Sequence, residues 1–164
     1  MGDEGGEAPC FAGLLSGGDV DDHVLARVVR DMADAVVIAD ADGTIVFWNE
    51  AATRLFGWPA EQALGQSLDL IIPERQRARH WEDYRRVMAT GQIGDDDRPL
   101  EVPALHADGR QISVAFTVSL LHPPGMSTVS GIAAVLRDDT ERWQERRRLR
   151  EEIAALRGAS TPER

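Results

Sequence analysis

Two Asp-Gly dipeptides, Asp42-Gly43 and Asp108-Gly109, constrain the fold of this chain more than any other feature, because each stands between two runs that read as strands. Asp-Gly supplies the positive φ that a tight hairpin needs. The first joins Ala35 to Ala39 with Thr44 to Asn49. The second joins Leu100 to His106 with Gln111 to Leu121, where Ile112, Val114, Phe116, Val118 and Leu120 alternate with small or polar residues. Alternation at period two buries one face of a sheet. After the Pro123-Pro124-Gly125 turn, Val129 to Leu136 reads as a fifth strand. Between the hairpins lie helical stretches, two of them short: Glu50 to Phe56 ended by Gly57 and a segment from Pro59 to Gly65; Leu68 to Ile72 then leads to Pro73, which opens a longer helix from Arg75 to Ala89 closed by Gly91. Two strands, then helices, then three strands predict an α+β domain, with one five-stranded antiparallel sheet carrying its helices on one face.

The 164 residues hold one such domain and its flanks. Residues 1–20 are rich in Gly, Asp and Glu and read as a disordered leader. In 21–33, Val24, Leu25, Val28, Val29 and Met32 recur at helical spacing behind an Asp21 or Asp22 cap. So short an amphipathic helix is not stable alone, and its stripe calls for a partner, which predicts a homodimer in which Val24, Leu25, Val28 and Val29 pack against the mate or the outer sheet face. The domain proper spans 34–140. A charged helix follows over Asp139 to Arg157, with 141–157 as a signalling or linker segment, Trp143, Leu149, Ile153 and Leu156 as its apolar positions, and 158–164 as a tail.

Charge and composition exclude several functions. A net charge of -10 argues against a nucleic-acid partner held through its phosphates. All eighteen basic residues are Arg, and Arg146, Arg147, Arg148 and Arg150 interleave with Glu141, Glu145, Glu151 and Glu152 as pairs on a solvated helix. Cys10 is the sole cysteine, so neither a disulfide framework nor a cysteine zinc cluster is available within one chain. No apolar run reaches membrane-spanning length, and the acidic start with the short run Cys10 to Leu15 does not make a signal peptide, which predicts a cytoplasmic protein without a membrane partner. Asp95, Asp96 and Asp97 lack the spaced ligands of a calcium loop and read as solvated acids. His23, His106 and His122 are dispersed, Ser113 and Ser119 show no nucleophile-base pattern, and no enzyme is expected.

His80 breaks an otherwise apolar stripe. On the 75–89 helix, Ile72, His80, Tyr84, Val87 and Met88 fall on one side. By itself, a histidine so placed is more often a hydrogen-bonded core residue than a metal ligand.

Over 25–140 the chain resembles a PAS domain. The resemblance is carried by Ala41-Asp42-Gly43-Thr44-Ile45, Trp48-Asn49-Glu50-Ala51-Ala52, Leu55-Phe56-Gly57-Trp58, Gly65, Ile71-Ile72-Pro73, Ala107-Asp108-Gly109-Arg110 and the exit Arg137-Asp138-Asp139-Thr140, in this order and spacing. It implies sensing and relay rather than catalysis, with an unidentified effector protein downstream. Within the superfamily, Arg77-Ala78-Arg79-His80 after Ile72-Pro73-Glu74 is similar to the helix that donates the proximal histidine in haem-binding PAS sensors, namely the rhizobial oxygen-sensor kinases and, through His80-Trp81 and Tyr84, carbon-monoxide-responsive regulators. That likeness implies haem b on His80, with Tyr84, Val87, Leu100, Ile112, Val114, Phe116 and Val118 lining its pocket, and a diatomic gas (CO, NO or O2) or redox state as the signal. A neutral imidazole suits haem iron, and its second nitrogen can be oriented by a carbonyl or by Asp83.

The chain departs from the family on the distal side. Leu100 stands where the rhizobial sensors have an arginine, and no methionine falls on the nearby strands. Arg98 and His106 are the alternatives for a distal donor or sixth ligand. A photoactive flavin would need a cysteine on a central helix, where there is none; flavin held without a covalent bond stays open. The competing reading is a ligand-free dimerisation or interaction module in which His80 is only packed.

Overall fold

The computed structural model describes residues 15–16, 19–93 and 99–159. In chain order its elements are β1 (Leu15–Ser16), β2 (Asp19–Val20), α1 (Asp22–Asp31), β3 (Ala35–Asp40), β4 (Ile45–Trp48), α2 (Glu50–Phe56), α3 (Ala60–Ala63), a 3-10 turn at Leu68–Leu70, α4 (Glu74–Thr90), β5 (Leu100–Leu105), β6 (Gln111–Leu121), β7 (Gly131–Asp138) and α5 (Thr140–Ala159). Five strands form one antiparallel sheet in the order β4-β3-β7-β6-β5. The α+β class and the five-stranded sheet expected from the hairpin pattern are thus observed.

The local chemistry explains the elements. Gly43 (φ 80°) and Gly109 (φ 85°) take the left-handed conformation their hairpin turns require. In the first turn the Asp40 carboxylate also accepts from the Asp42 and Thr44 amides, and the Trp81 ring lies where a Gly43 side chain would project. α2 starts on Asn49, whose Oδ1 accepts from Ala52 N at 2.9 Å, and ends on left-handed Gly57. α4 runs between Pro73 and Gly91, as the two breakers dictate. The core joins the inner sheet face to α2 and α3; Phe56, Ile45 and Val114 are its largest fully buried side chains. Asn49, itself 2 % exposed, accepts from Val36 N and donates to the Asp34 and Val29 carbonyls, so every polar site on its amide is used.

Two expectations need correction. β1 and β2 pair as a two-residue ribbon inside the segment read as a disordered leader. The remainder of that leader, with Cys10, lies outside the described residues, as do Asp95, Asp96 and Asp97. The last strand begins at Gly131 rather than Val129, because the Ser130 amide turns back to the Leu121 carbonyl, and it runs on to Asp138. At Gly131 the β7 backbone comes so close to the Ala39 carbonyl that no Cβ would fit. α1 has the predicted apolar stripe and Asp21 cap; none of its residues is fully buried, Val24 and Val29 being half-buried while Leu25 is 48 % and Val28 56 % exposed.

Candidate functional site

A cavity of about 440 Å³ lies between α4 and the inner face of the sheet. Its size falls within the range of small-molecule sites, and protein interiors leave few voids larger than a water molecule. Sequence periodicity builds both walls. On α4, His80, Tyr84 and Val87 are spaced by four and three residues and face inward together. On the sheet, Val114, Phe116 and Val118 project at period two, with Leu100 and Val102 beside them on β5. Ala39, Ala104 and Ala134 on β3, β5 and β7 add small side chains at the same face, which leaves the space open.

His80 is the imidazole at this wall, which Arg79, Asp83, Tyr84 and Arg86 also line. Its Nε2 is buried and has no hydrogen-bond partner, although buried polar atoms are nearly always satisfied. Burial pushes its pKa below the usual histidine value, against the opposing pull of the Asp69 and Asp83 carboxylates. The imidazole is therefore held neutral, the form that can offer a lone pair to a metal. Asp83 does not orient the ring: it accepts from Arg86 Nη2 at 3.1 Å and sits 3.9 Å from Arg79 Nε. Among the described residues no group of three His, Cys, Asp or Glu is arranged to hold a metal ion by itself, so a metal here would have to bring its own other ligands, as a porphyrin does.

The helix that carries His80 is fixed by the two aromatic residues after it. Trp81 Nε1 donates to Asp69 Oδ1 at 2.9 Å while its ring covers Gly43. Tyr84 donates its hydroxyl to the Asp40 carbonyl at 2.5 Å, and burial, reinforced by Asp40 and Asp42, pushes its pKa up to about 12. The ring centroids of His80 and Tyr84 are 5.7 Å apart.

The structure brings His80, Tyr84, Val87, Leu100, Val114, Phe116 and Val118 to one cavity. It does not bring Ile112 there. That side chain shares the inner face but is buried in the core nearer the Asp108-Gly109 turn, past the end of the void. Met88 is also off the wall; eight residues after His80 a helix has turned about 80° beyond whole turns, and Met88 lines a separate cleft with Arg85 and Val129. His106 packs over Gly57, its Nδ1 accepting from Asp108 N, and so stands outside the cavity as a distal group. Arg98 lies outside the described residues. Sequence reading missed the contributions of β3 and β7, Val37, Ala39, Ile132 and Ala134, and the arginines Arg79 and Arg86 on α4. Both segments read as strands without an alternation that would assign a face, and only the pairing of β7 between β3 and β6 places them under α4.

The comparisons agree with this architecture. The chain is 35% identical over 147 residues to an uncharacterized protein of Azorhizobium caulinodans, 87% of this chain and 20% of that one. It is 27% identical over 159 residues to the sensor protein FixL of Bradyrhizobium diazoefficiens, 91% of this chain and 31% of that one. With the oxygen sensor protein DosP of Escherichia coli it shares 27% identity over 127 residues, 77% of this chain and 15% of that one. The chain thus spans less than a third of the length of each of these relatives. An RNA-binding light-oxygen-voltage receptor superposes with a TM-score of 0.70 at 24% identity, covering 90% of this chain and 41% of that one, a likeness of fold alone. The family model for the PAS fold matches residues 25–138. On the strength of that match and of the sheet and helices described above, the chain belongs to the PAS family of sensory domains.

Proposed function

We propose that this sensory domain binds haem b in the cavity through His80 and responds to a diatomic gas, CO, NO or O2, or to redox state. The observation that carries the reading is the buried, unpartnered Nε2 of a neutral imidazole at the wall of an apolar cavity. A histidine that served packing alone would be expected to hydrogen-bond both ring nitrogens or leave the free one in water. Bound there, haem b supplies an iron centre with a position open to a gas. The protein's own part is to hold the imidazole neutral at the cavity wall, to keep water out with Val114, Phe116 and Val118, and to fix α4 through Trp81 and Tyr84. The named role of the DosP relative as an oxygen sensor supports the same reading. Function by sensing rather than catalysis, a cytoplasmic setting, a homodimer and an effector protein beyond α5 complete the proposal. Among the described residues no helix is long and apolar enough to cross a membrane.

Haemin titration followed by the Soret band tests it. Wild-type protein should bind with a sharp, stoichiometric spectrum, and His80→Ala should lose that spectrum while keeping its far-UV circular dichroism. Equal uptake by both proteins would restore the ligand-free interaction module, with His80 as a packed side chain.

A further inference from the structure

Leu100 and Val102 line the cavity, and Glu101 between them projects from the opposite face of β5, as alternation along a strand requires. The Glu101 carboxylate accepts from Arg146 Nη2 at 2.8 Å, and the same nitrogen donates to Asp139 Oδ2 at 2.5 Å. Asp139 is 4 % exposed and lies where β7 passes into α5. Its amide donates to the Ser113 carbonyl, and Thr140 Oγ1 accepts from the Ser113 amide, so the root of α5 is pinned to β6. Arg146, within the second turn of α5, therefore ties that root to the strand that walls the cavity. β5 is an edge strand with β6 as its one neighbour, and Leu100 is half exposed, so this wall is the one most free to adjust to an occupant.

We infer that Glu101, Arg146 and Asp139 form a latch through which occupancy of the cavity sets how firmly α5 is docked. The inference rests on the ligand-binding role proposed for the cavity. An occupant packed against Leu100 and Val102 orders β5, holds Glu101 in reach of Arg146 and steadies the helix. Linkage makes the effect reciprocal: whatever releases α5 weakens binding in the cavity by the same factor. The two ion pairs contribute unequally. Glu101 and Arg146 are both partly exposed and solvent screens them, whereas loss of Arg146 would leave the buried Asp139 carboxylate without its closest cation. Arg146→Gln thus releases the helix, and Glu101→Gln cuts only the link to the wall.

The test is amide exchange over 142–150, measured by mass spectrometry on the full chain with and without haemin. Glu101→Gln should speed exchange by about threefold and Arg146→Gln by more than about tenfold; Arg146→Gln should also weaken haemin affinity although it lines no part of the cavity. Haemin should slow exchange in the wild type and have no such effect in Glu101→Gln. A ligand-free arm uses Val102→Ala, which trims the wall: it should speed exchange in the wild type but add nothing in the Glu101→Gln background. Additive effects of those two substitutions, or haemin protection that persists in Glu101→Gln, overturn the latch. If haemin does not bind through His80 while Val102→Ala and Glu101→Gln remain coupled, the haem proposal fails and the latch stands.

Discussion

The Asn49 side chain and the Val29 carbonyl, twenty residues apart, are joined by a hydrogen bond of 3.1 Å, and this bond links the last turns of α1 to the head of α2. The same amide serves the Asp34 carbonyl and the Val36 and Ala52 amides. Removing it leaves buried backbone groups without partners. Asn49→Ala should lower unfolding stability by about 3 kcal/mol in urea. Asn49→Asp keeps both acceptor bonds and loses both donor bonds, so amide exchange should rise in α1 while α2 stays protected.

Tyr84 is the only tyrosine, which makes its titration directly visible. Its folded pKa, about 12, lies above the ordinary value of 10, so the fold favours the neutral hydroxyl. Its contribution to stability is complete below about pH 10 and is lost as pH rises through about 12. In the haem-free protein, tyrosinate absorbance should appear near pH 12, and in urea near the ordinary value. Titration near pH 10 in the folded protein would contradict the hydrogen bond to Asp40. Tyr84→Phe should cost about 1 kcal/mol.

Gly43 meets two demands at once, a positive φ and the face of Trp81. Gly43→Ala should destabilise by about 2 kcal/mol or more and should alter the indole fluorescence as Trp81 is pushed off the turn. A stability change within experimental error would show that the turn and α4 adjust freely.

The haem-loaded protein should prefer carbon monoxide. Oxygen gains from a hydrogen-bond donor, while carbon monoxide tolerates an apolar surround. The sheet wall around Leu100, Phe116 and Val118 is apolar, and His106 is packed elsewhere. Oxidation in air should be fast, and Leu100→Arg should slow it on the order of tenfold by adding a charged donor. Slow oxidation of the wild type that becomes fast in Arg98→Ala would identify Arg98 as the donor instead.

The exposed stripe of α1 bears on assembly. Leu25 and Val28 stand open to solvent on a helix of ten residues, too short to persist without cover. Light scattering should report a dimer for the full chain and a monomer or aggregate once the residues before Met32 are removed. A dimer of unchanged size after truncation would place the contact elsewhere.

Much of the fold was legible because its signals are local. The Asp-Gly turns, the Pro73 and Gly91 boundaries and the alternation on β6 each depend on a few adjacent residues, and each appears where the sequence placed it. His80, Tyr84 and Val87 were legible together because helical geometry alone sets their common face. Ile112 was not, since periodicity gives a direction but no position along the wall, and Met88 was not, since its direction on the helix departs from that of His80. The share of β3 and β7 in the cavity, and the reach of Arg146 to Glu101 across forty-five residues, depend on pairings that only the folded chain makes.

β7 lies between the two hairpins, so the halves of the sheet do not touch through any other strand pair. During synthesis the first hairpin and the second can each form early, because their contacts are near in sequence. The central pairing waits for residues 131–138, the last strand of this sheet to leave the ribosome. The void under α4 therefore comes into being only when synthesis of the domain is almost complete, and loading of any ligand is a step of maturation that follows closure of the sheet by β7.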